Sequence, residues 1–162
     1  MKILWFCALF FAAIGVALVL AGQLGLLRGR APNDLGVRNN RLKPPSRSPN
    51  SVSSQVDLYA DHPQKAYASI APLQFTGDAD QAMARLADIL KNSARIVVVS
   101  QTPDYIYAQS TTQVFKFTDD IEFWLDRSAS VIHVRSASRL GRKDFNVNRL
   151  RIETIRAQFA RN

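Results

Sequence analysis

The sequence is poor in the residues that most catalytic and metal chemistry requires. It has one cysteine, Cys7, and two histidines, His62 and His133. A lone cysteine excludes an intramolecular disulfide, and Cys7, set among Trp5, Phe6, Ala8 and Leu9, behaves as a small apolar side chain. It lies near the start of its apolar run, where a lipoprotein cleavage cysteine would follow the run. Neither histidine has a second His, Cys or carboxylate at ligand spacing, so no metal site is expected. The seven glycines are scattered, which excludes a phosphate-binding loop, and no nucleophile elbow is present. The residues therefore assign no catalytic group and no cofactor.

Acids are also scarce: 13 Asp and Glu face 21 Lys and Arg, a net charge of +8. That excess invites a nucleic-acid reading, but its placement argues against one. Six cations between Arg28 and Arg47 face a single acid, Asp34. The stretch from Lys65 to Arg127 is close to neutral, and the excess returns only from Arg135 to Arg161. Two local basic zones suit a membrane-proximal segment and an anion-facing patch better than a duplex-binding face. The arginines also lack the interleaved exposed aromatics of a single-strand binder.

What the chain does have is one long apolar run. Residues Ile3 to Leu27 carry no charge. As a helix they would extend roughly 37 Å, enough to cross a hydrocarbon core of about 30 Å. A signal peptide has an apolar region of only about 7–15 residues, so the length favours a retained anchor, although Val19-Leu20-Ala21 resembles a cleavage site. Residues 1–27 are read as this anchor. The cations that follow it, Arg28, Arg30, Arg38, Arg41 and Lys43, outnumber Lys2 before it. By the positive-inside rule alone the remainder would stay in the cytoplasm.

Residues 28–55 hold Pro32, Pro44, Pro45 and Pro49 among serines and asparagines, a linker composition. Leu35, Val37, Leu42 and Val52 offer the alternative of a strap clipped to the domain. The folded domain is placed at 56–162. A short strand is expected over Ile70–Phe75. Asp78-x-x-Gln81 is a capping box opening a helix to about Asn92, with Ala82, Met83, Leu86, Ile89 and Leu90 on its core face. The period then changes to two. Strands are expected at Arg95–Gln101, Tyr105–Thr112, Val114–Phe117, Ile121–Leu125 and Ser130–Arg135, with Thr118-Asp119-Asp120 as a turn. A last helix, Val147–Ala160, presents Leu150, Ile152, Ile155 and Phe159, with Arg149–Glu153 and Glu153–Arg156 as ion pairs. Short connections imply an α+β fold: an antiparallel sheet of about five strands covered by two helices, after one N-terminal transmembrane helix.

Two groups remain as candidate chemistry. Asp119, Asp120 and Glu122 form the carboxylate cluster, read either as a polar turn followed by an outward Glu or as hydrolase-like acids working with an Arg135–Arg139 clamp. The stretch Val134 to Arg151 is the candidate binding segment, with Arg135, Ser136, Ser138, Arg139, Asp144, Asn148 and Arg149 as its residues. Helix N-terminal amides and guanidinium forks both suit an anion. The alternative is a self-satisfied network in which Asp144 pairs with Arg139 or Arg149 and the asparagines cap the helix.

Arg139-x-Gly141-x-x-Asp144-x-x-x-Asn148-Arg149-x-Arg151, preceded by Arg135-Ser136-Ala137-Ser138, resembles the signature of the domain-of-unknown-function 1499 family. So do Asp34-Leu35-Gly36-Val37-Arg38, Ser48-Pro49-Asn50-x-Val52-Ser53-Ser54 and Phe117-x-Asp119-Asp120-x-Glu122-Phe123. The resemblance spans about Pro32 to Arg156. It implies no established activity, but members often carry membrane or export segments. It therefore implies a bacterial inner-membrane protein with a periplasmic domain, against the charge count. Pro45 and Ser51 stand where members commonly have cysteines, and Asn146 stands where they tend to have glycine.

The resulting expectation is a membrane-anchored, non-catalytic module. It would meet the membrane through residues 3–27 and an anionic small molecule, lipid headgroup or protein through its arginine-rich loop. The alternatives are the hydrolase-like enzyme and nucleic-acid binding.

Overall fold

The computed structural model describes residues 2–161. Helix α1 (Lys2–Gln23) is continuous, and Gly22 is its one buried residue. A coil from residue 24 leads to β1 (Ser51–Ser53), a 3-10 turn (Val56–Leu58) and the one-turn helix α2 (Lys65–Ala68). Then follow β2 (Leu73–Gln74), α3 (Ala79–Lys91), β3 (Ile96–Gln101), β4 (Tyr105–Thr111), β5 (Thr118–Asp126), β6 (Val131–Ser138) and α4 (Val147–Phe159). The sheet is antiparallel throughout, in the order β1-β6-β5-β4-β3, and the short β2 pairs with β6 beyond the end of β1.

Side chains alternate between two faces along each strand. One face carries Ile106 and Ala108 of β4, Ile121, Phe123 and Leu125 of β5, and Ile132 and Val134 of β6, all buried. Helices α3 and α4 close this face with Met83, Leu86, Leu90, Ile152, Ile155 and Phe159. The Asp78 side chain accepts from the Gln81 amide at 2.8 Å and starts α3 as the capping box requires. The α+β architecture with two covering helices is the one expected.

Several local expectations are corrected. Thr118-Asp119-Asp120 is no turn: these residues are the buried start of β5, all three paired with β4 and the two acids also with β6. Their polarity reads as a turn in sequence, but in the sheet each acid meets an arginine. Val114–Phe117, expected as a strand, is the turn itself. It is closed by Thr112 and Phe117, whose backbones and the Thr112 hydroxyl exchange bonds of 2.9 and 3.0 Å. Phe115 and Phe117 are exposed there. Ile70–Phe75 contributes only Leu73 and Gln74 as strand. β6 continues through Ser138, so Ser136-Ala137-Ser138 is sheet and not loop. On α4, Leu150 is exposed, and Glu153 pairs with Arg156 while Arg149 donates to the Tyr67 carbonyl.

The second sheet face is covered by the proline-rich segment. Ser51–Ser53 pairs with Arg135–Ala137. Leu42 is buried, and its amide donates to Gln55 Oε1 at 2.8 Å. The segment turns back on itself at Asn39 and Asn40, whose positive φ values (51° and 56°) suit asparagine, and Arg38 bridges Arg41. Burial of Leu42 and Val52 holds it down as a strap.

Candidate functional site

Alternation divides the polar residues of the sheet into two networks on opposite faces. Under the strap, β5 presents Asp120 and Glu122, β6 presents Arg135, and Arg139 follows at the strand end. β4 adds Tyr105 and Tyr107. Arg135 Nη1 donates to Glu122 Oε2 at 3.2 Å. Tyr105 Oη and the Gly36 amide donate to Glu122 Oε1 at 2.9 and 2.8 Å, and Arg135 Nε donates to the Pro44 carbonyl at 3.3 Å. Two residues from Glu122 on β5, Asp120 is gripped by Arg139 with two bonds of 2.9 and 2.7 Å, and Tyr107 Oη donates to the same carboxylate at 2.6 Å. The side chains of both ion pairs are at most 7% exposed.

These are two parallel units, each a carboxylate held between an arginine and a tyrosine. Burial, followed by the Glu122 charge, pushes the Tyr105 hydroxyl far above its ordinary value. Burial and the bond to Asp120 raise Tyr107 in the same direction. The bond to Asp120 outweighs burial at Arg139 and strengthens its hold on its proton. Both phenols therefore stay protonated and act as donors.

On the helix face, the network is built around Asn148 in the first turn of α4, with no exposed surface. Its amide nitrogen donates to Asp144 Oδ2, Ser138 Oγ and the Asn50 carbonyl at 2.8, 3.0 and 3.1 Å. Its Oδ1 accepts from Ser136 Oγ at 2.5 Å and from Arg151 Nη1 at 2.7 Å. Arg151 Nη2 donates to Asp119 Oδ2 at 2.6 Å. Asp144 accepts from the amides of Asn146 and Asn148 at 3.2 and 3.1 Å and from the Tyr67 hydroxyl. Asn146 occupies the left-handed region at φ 66° with no side-chain cap, so the turn tolerates asparagine in place of glycine. Burial would raise the Asp144 carboxyl, but the bonds from Tyr67, Asn148 and Asn146 outweigh it and hold it below the usual carboxylate range. The positive end of α4 thus already faces a carboxylate, that of Asp144.

The seven residues of the candidate segment do not converge. Ser136, Ser138, Asp144 and Asn148 meet on the helix face, Arg135 and Arg139 lie under the strap, and Arg149 reaches the Tyr67 carbonyl at 2.6 Å from the surface. Asp144 bonds neither Arg139 nor Arg149; amides and a hydroxyl take the role expected of them. The carboxylate cluster is divided in the same way, with Asp119 facing α4 and Asp120 and Glu122 facing the strap. Sequence reasoning missed Tyr105 and Tyr107, and it marked Arg151 and Gly36 only as parts of the family signature, without a role. The alternation Tyr105-Ile106-Tyr107-Ala108 was the available signal for the first two, since it places both phenols opposite the core residues.

Beside the strap lies an open groove of about 400 Å³ lined by Asp34, Arg38, Arg41, Lys43 and Tyr59 among others. Lys43 pairs with Asp34 at 2.6 Å, and the Arg41 guanidinium stands 6.0 Å from the Tyr59 ring centroid.

No curated protein and no solved structure is significantly similar to the chain. A family profile, described as a protein of unknown function (DUF1499), matches residues 41–159. The match takes in β1, every later strand and helix, and every side chain of the two buried networks, leaving only the Gly36 amide outside it, and on it the chain belongs to the DUF1499 family.

Proposed function

We propose that this protein is a single-pass, membrane-anchored, non-catalytic module whose arginine-rich segment is framework. The observation that carries the reading is α1: 22 residues, uncharged after Lys2, with large apolar side chains exposed along its length. Such a surface suits a lipid environment. The framework reading is supported by the pairing of Arg135, Arg139 and Arg151 with Glu122, Asp120 and Asp119. Each of these guanidinium groups is committed to a carboxylate before any acidic ligand arrives. An anionic ligand or partner would meet instead the exposed cations Arg38 and Arg41 at the groove beside the strap.

The domain is assigned to the periplasmic side of a bacterial inner membrane, in keeping with the export segments common in the family. A reporter active only after export, joined after Asn162, tests this in cells. Activity together with resistance to alkaline extraction supports anchor and side. An inactive but membrane-bound fusion reverses the orientation, and extraction into the soluble fraction removes the anchor.

The hydrolase-like alternative draws on a real convergence, since Glu122 and Asp120 do meet Arg135 and Arg139. Catalysis by either acid would require a carboxylate oxygen free for substrate. Here the oxygens already accept from arginine, tyrosine and, at Glu122, a backbone amide.

A further inference from the structure

The C-terminal end of α1 is packed against the turn between β4 and β5. Gly22 lies so close to Phe115 that a Cβ at position 22 would stand 2.5 Å from the Phe115 carbonyl oxygen. Next to it, Gln23 Nε2 donates to the Val114 carbonyl at 3.1 Å. The turn is ordered from within by its Thr112–Phe117 bonds, yet it presents Val114, Phe115 and Phe117 to the outside at 49, 37 and 39% exposure. The two phenylalanine rings lie 5.8 Å apart and form one patch. Leu24 and Leu26, which follow α1 directly in the chain, are exposed at 76 and 71%. Cations are close to these apolar residues in the chain: Lys116 between Phe115 and Phe117, and Arg28 and Arg30 after Leu26-Leu27.

Depth follows from helix length. The 22 residues of α1 extend about 33 Å, and a hydrocarbon core is about 30 Å thick. Gly22 therefore falls at the boundary between acyl chains and headgroups, and the turn that touches it falls at the same level. Aromatic residues on a rigid turn with basic neighbours fit that boundary, where rings are buried and cations meet anionic headgroups.

We infer that the β4–β5 turn, Val114 to Phe117, is a second membrane contact, seated in the acyl–headgroup boundary of an anionic bilayer beside the end of α1. The domain is thereby held in one orientation on the membrane instead of swinging on a tether. The contact rests on the anchor reading and adds to it a lipid-facing surface on the folded domain.

The test uses the full chain reconstituted into phosphatidylcholine–phosphatidylglycerol vesicles, with lipids brominated at shallow or deep acyl positions. Trp5 and Trp124 are replaced by phenylalanine, and a single tryptophan is introduced by F115W or, as the anchor readout, by F11W. The expected result is shallow-bromine quenching of the F115W protein by about two-fold or more, since boundary residues lie about 5–10 Å into the bilayer. The F11W protein should be quenched best by deep bromines. Adding Gly22→Leu, which cannot fit against Phe115, should abolish the F115W quenching and leave the F11W quenching intact. Adding Lys116→Glu should weaken it on anionic vesicles.

Quenching of F11W without F115W would overturn the membrane contact while leaving the anchor in place. F115W shielded from both aqueous and lipid quenchers, with cross-linking between chains, would assign the patch to a second copy and equally overturn it. Failure of both tryptophans to respond would remove the anchor and the contact together.

Discussion

Arg135 of β6 lies directly opposite Glu122 of β5, and its guanidinium donates across the strand pair at 3.2 Å with both side chains almost wholly buried. The pair sits where a sheet with one open face would show solvent-exposed polar residues. The strap closes over it through the Gly36 amide and the Pro44 carbonyl. Burying both charges is tolerable because Tyr105 and the strap backbone satisfy further atoms of each group.

Removing one partner should therefore be costly. Glu122→Leu leaves the Arg135 charge buried without its counter-ion and is expected to destabilise the domain by about 3–5 kcal/mol. The double variant E122L/R135M should regain much of that loss, because a buried ion pair adds little net stability over apolar packing. Urea unfolding of both variants checks this, and equal destabilisation of the two would argue against a paired role.

The strap depends on one backbone position. Gly36 has φ +107°, and its amide is the donor to Glu122. Gly36→Pro removes both the conformation and the N–H. Trypsin should then cut after Arg38 and Arg41 well before the sheet unfolds, while the parent protein resists. A strap equally protected in G36P would show that Leu42 and Gln55 hold it without this bond.

The α4 cap should show in acid. Asp144 has its folded-state pKa held below its ordinary value of 3.8, so its contribution is complete above that value and is lost as pH falls through the folded pKa. Asp144→Ala is expected to cost at least about 2 kcal/mol near neutrality, from the lost cap and the stranded donors of Asn148 and Tyr67. Its melting temperature should also fall less steeply than that of the parent protein below about pH 4. Thermal unfolding across pH measures both effects.

His133 gives a second, milder pH dependence. It stacks on Trp124 with centroids 5.2 Å apart, and Nδ1 lies 3.2 Å from Ser54 Oγ. Burial depresses its pKa below 6.5, with Asp126 opposing. The unfolded chain thus takes up a proton first, and stability should decline as pH falls from about 7 through the folded pKa. His133→Phe should flatten that part of the profile. An unchanged slope would locate the titration elsewhere.

The nucleic-acid alternative makes its own demand. If the basic residues served a nucleic-acid backbone, binding by the full protein in detergent would weaken steeply with salt. Fluorescence anisotropy with labelled single- and double-stranded DNA is expected to detect no such binding at physiological ionic strength.

The sequence by itself determined the elements with an unambiguous period. An uninterrupted apolar run makes α1, the capping box and apolar stripe make α3, and β-branched alternation makes β3 and β4, all governed by neighbours a few residues apart. It also marked the polar residues that matter, since nearly all of the candidate segment is engaged in one network or the other. What it could not carry was their division. Whether Ser136 to Ser138 is loop or strand depends on pairing with Ser51–Val52 and Asp119–Ile121, residues far away in the chain. Only that pairing makes the alternation of neighbours decisive, sending Ser136 and Ser138 toward Asn148 while Arg135 turns to the strap. The same holds for Asp119 and Asp120, adjacent in sequence and turn-like in composition. Tertiary structure placed an arginine on each side of the sheet, and a sheet has two faces that a single residue step exchanges.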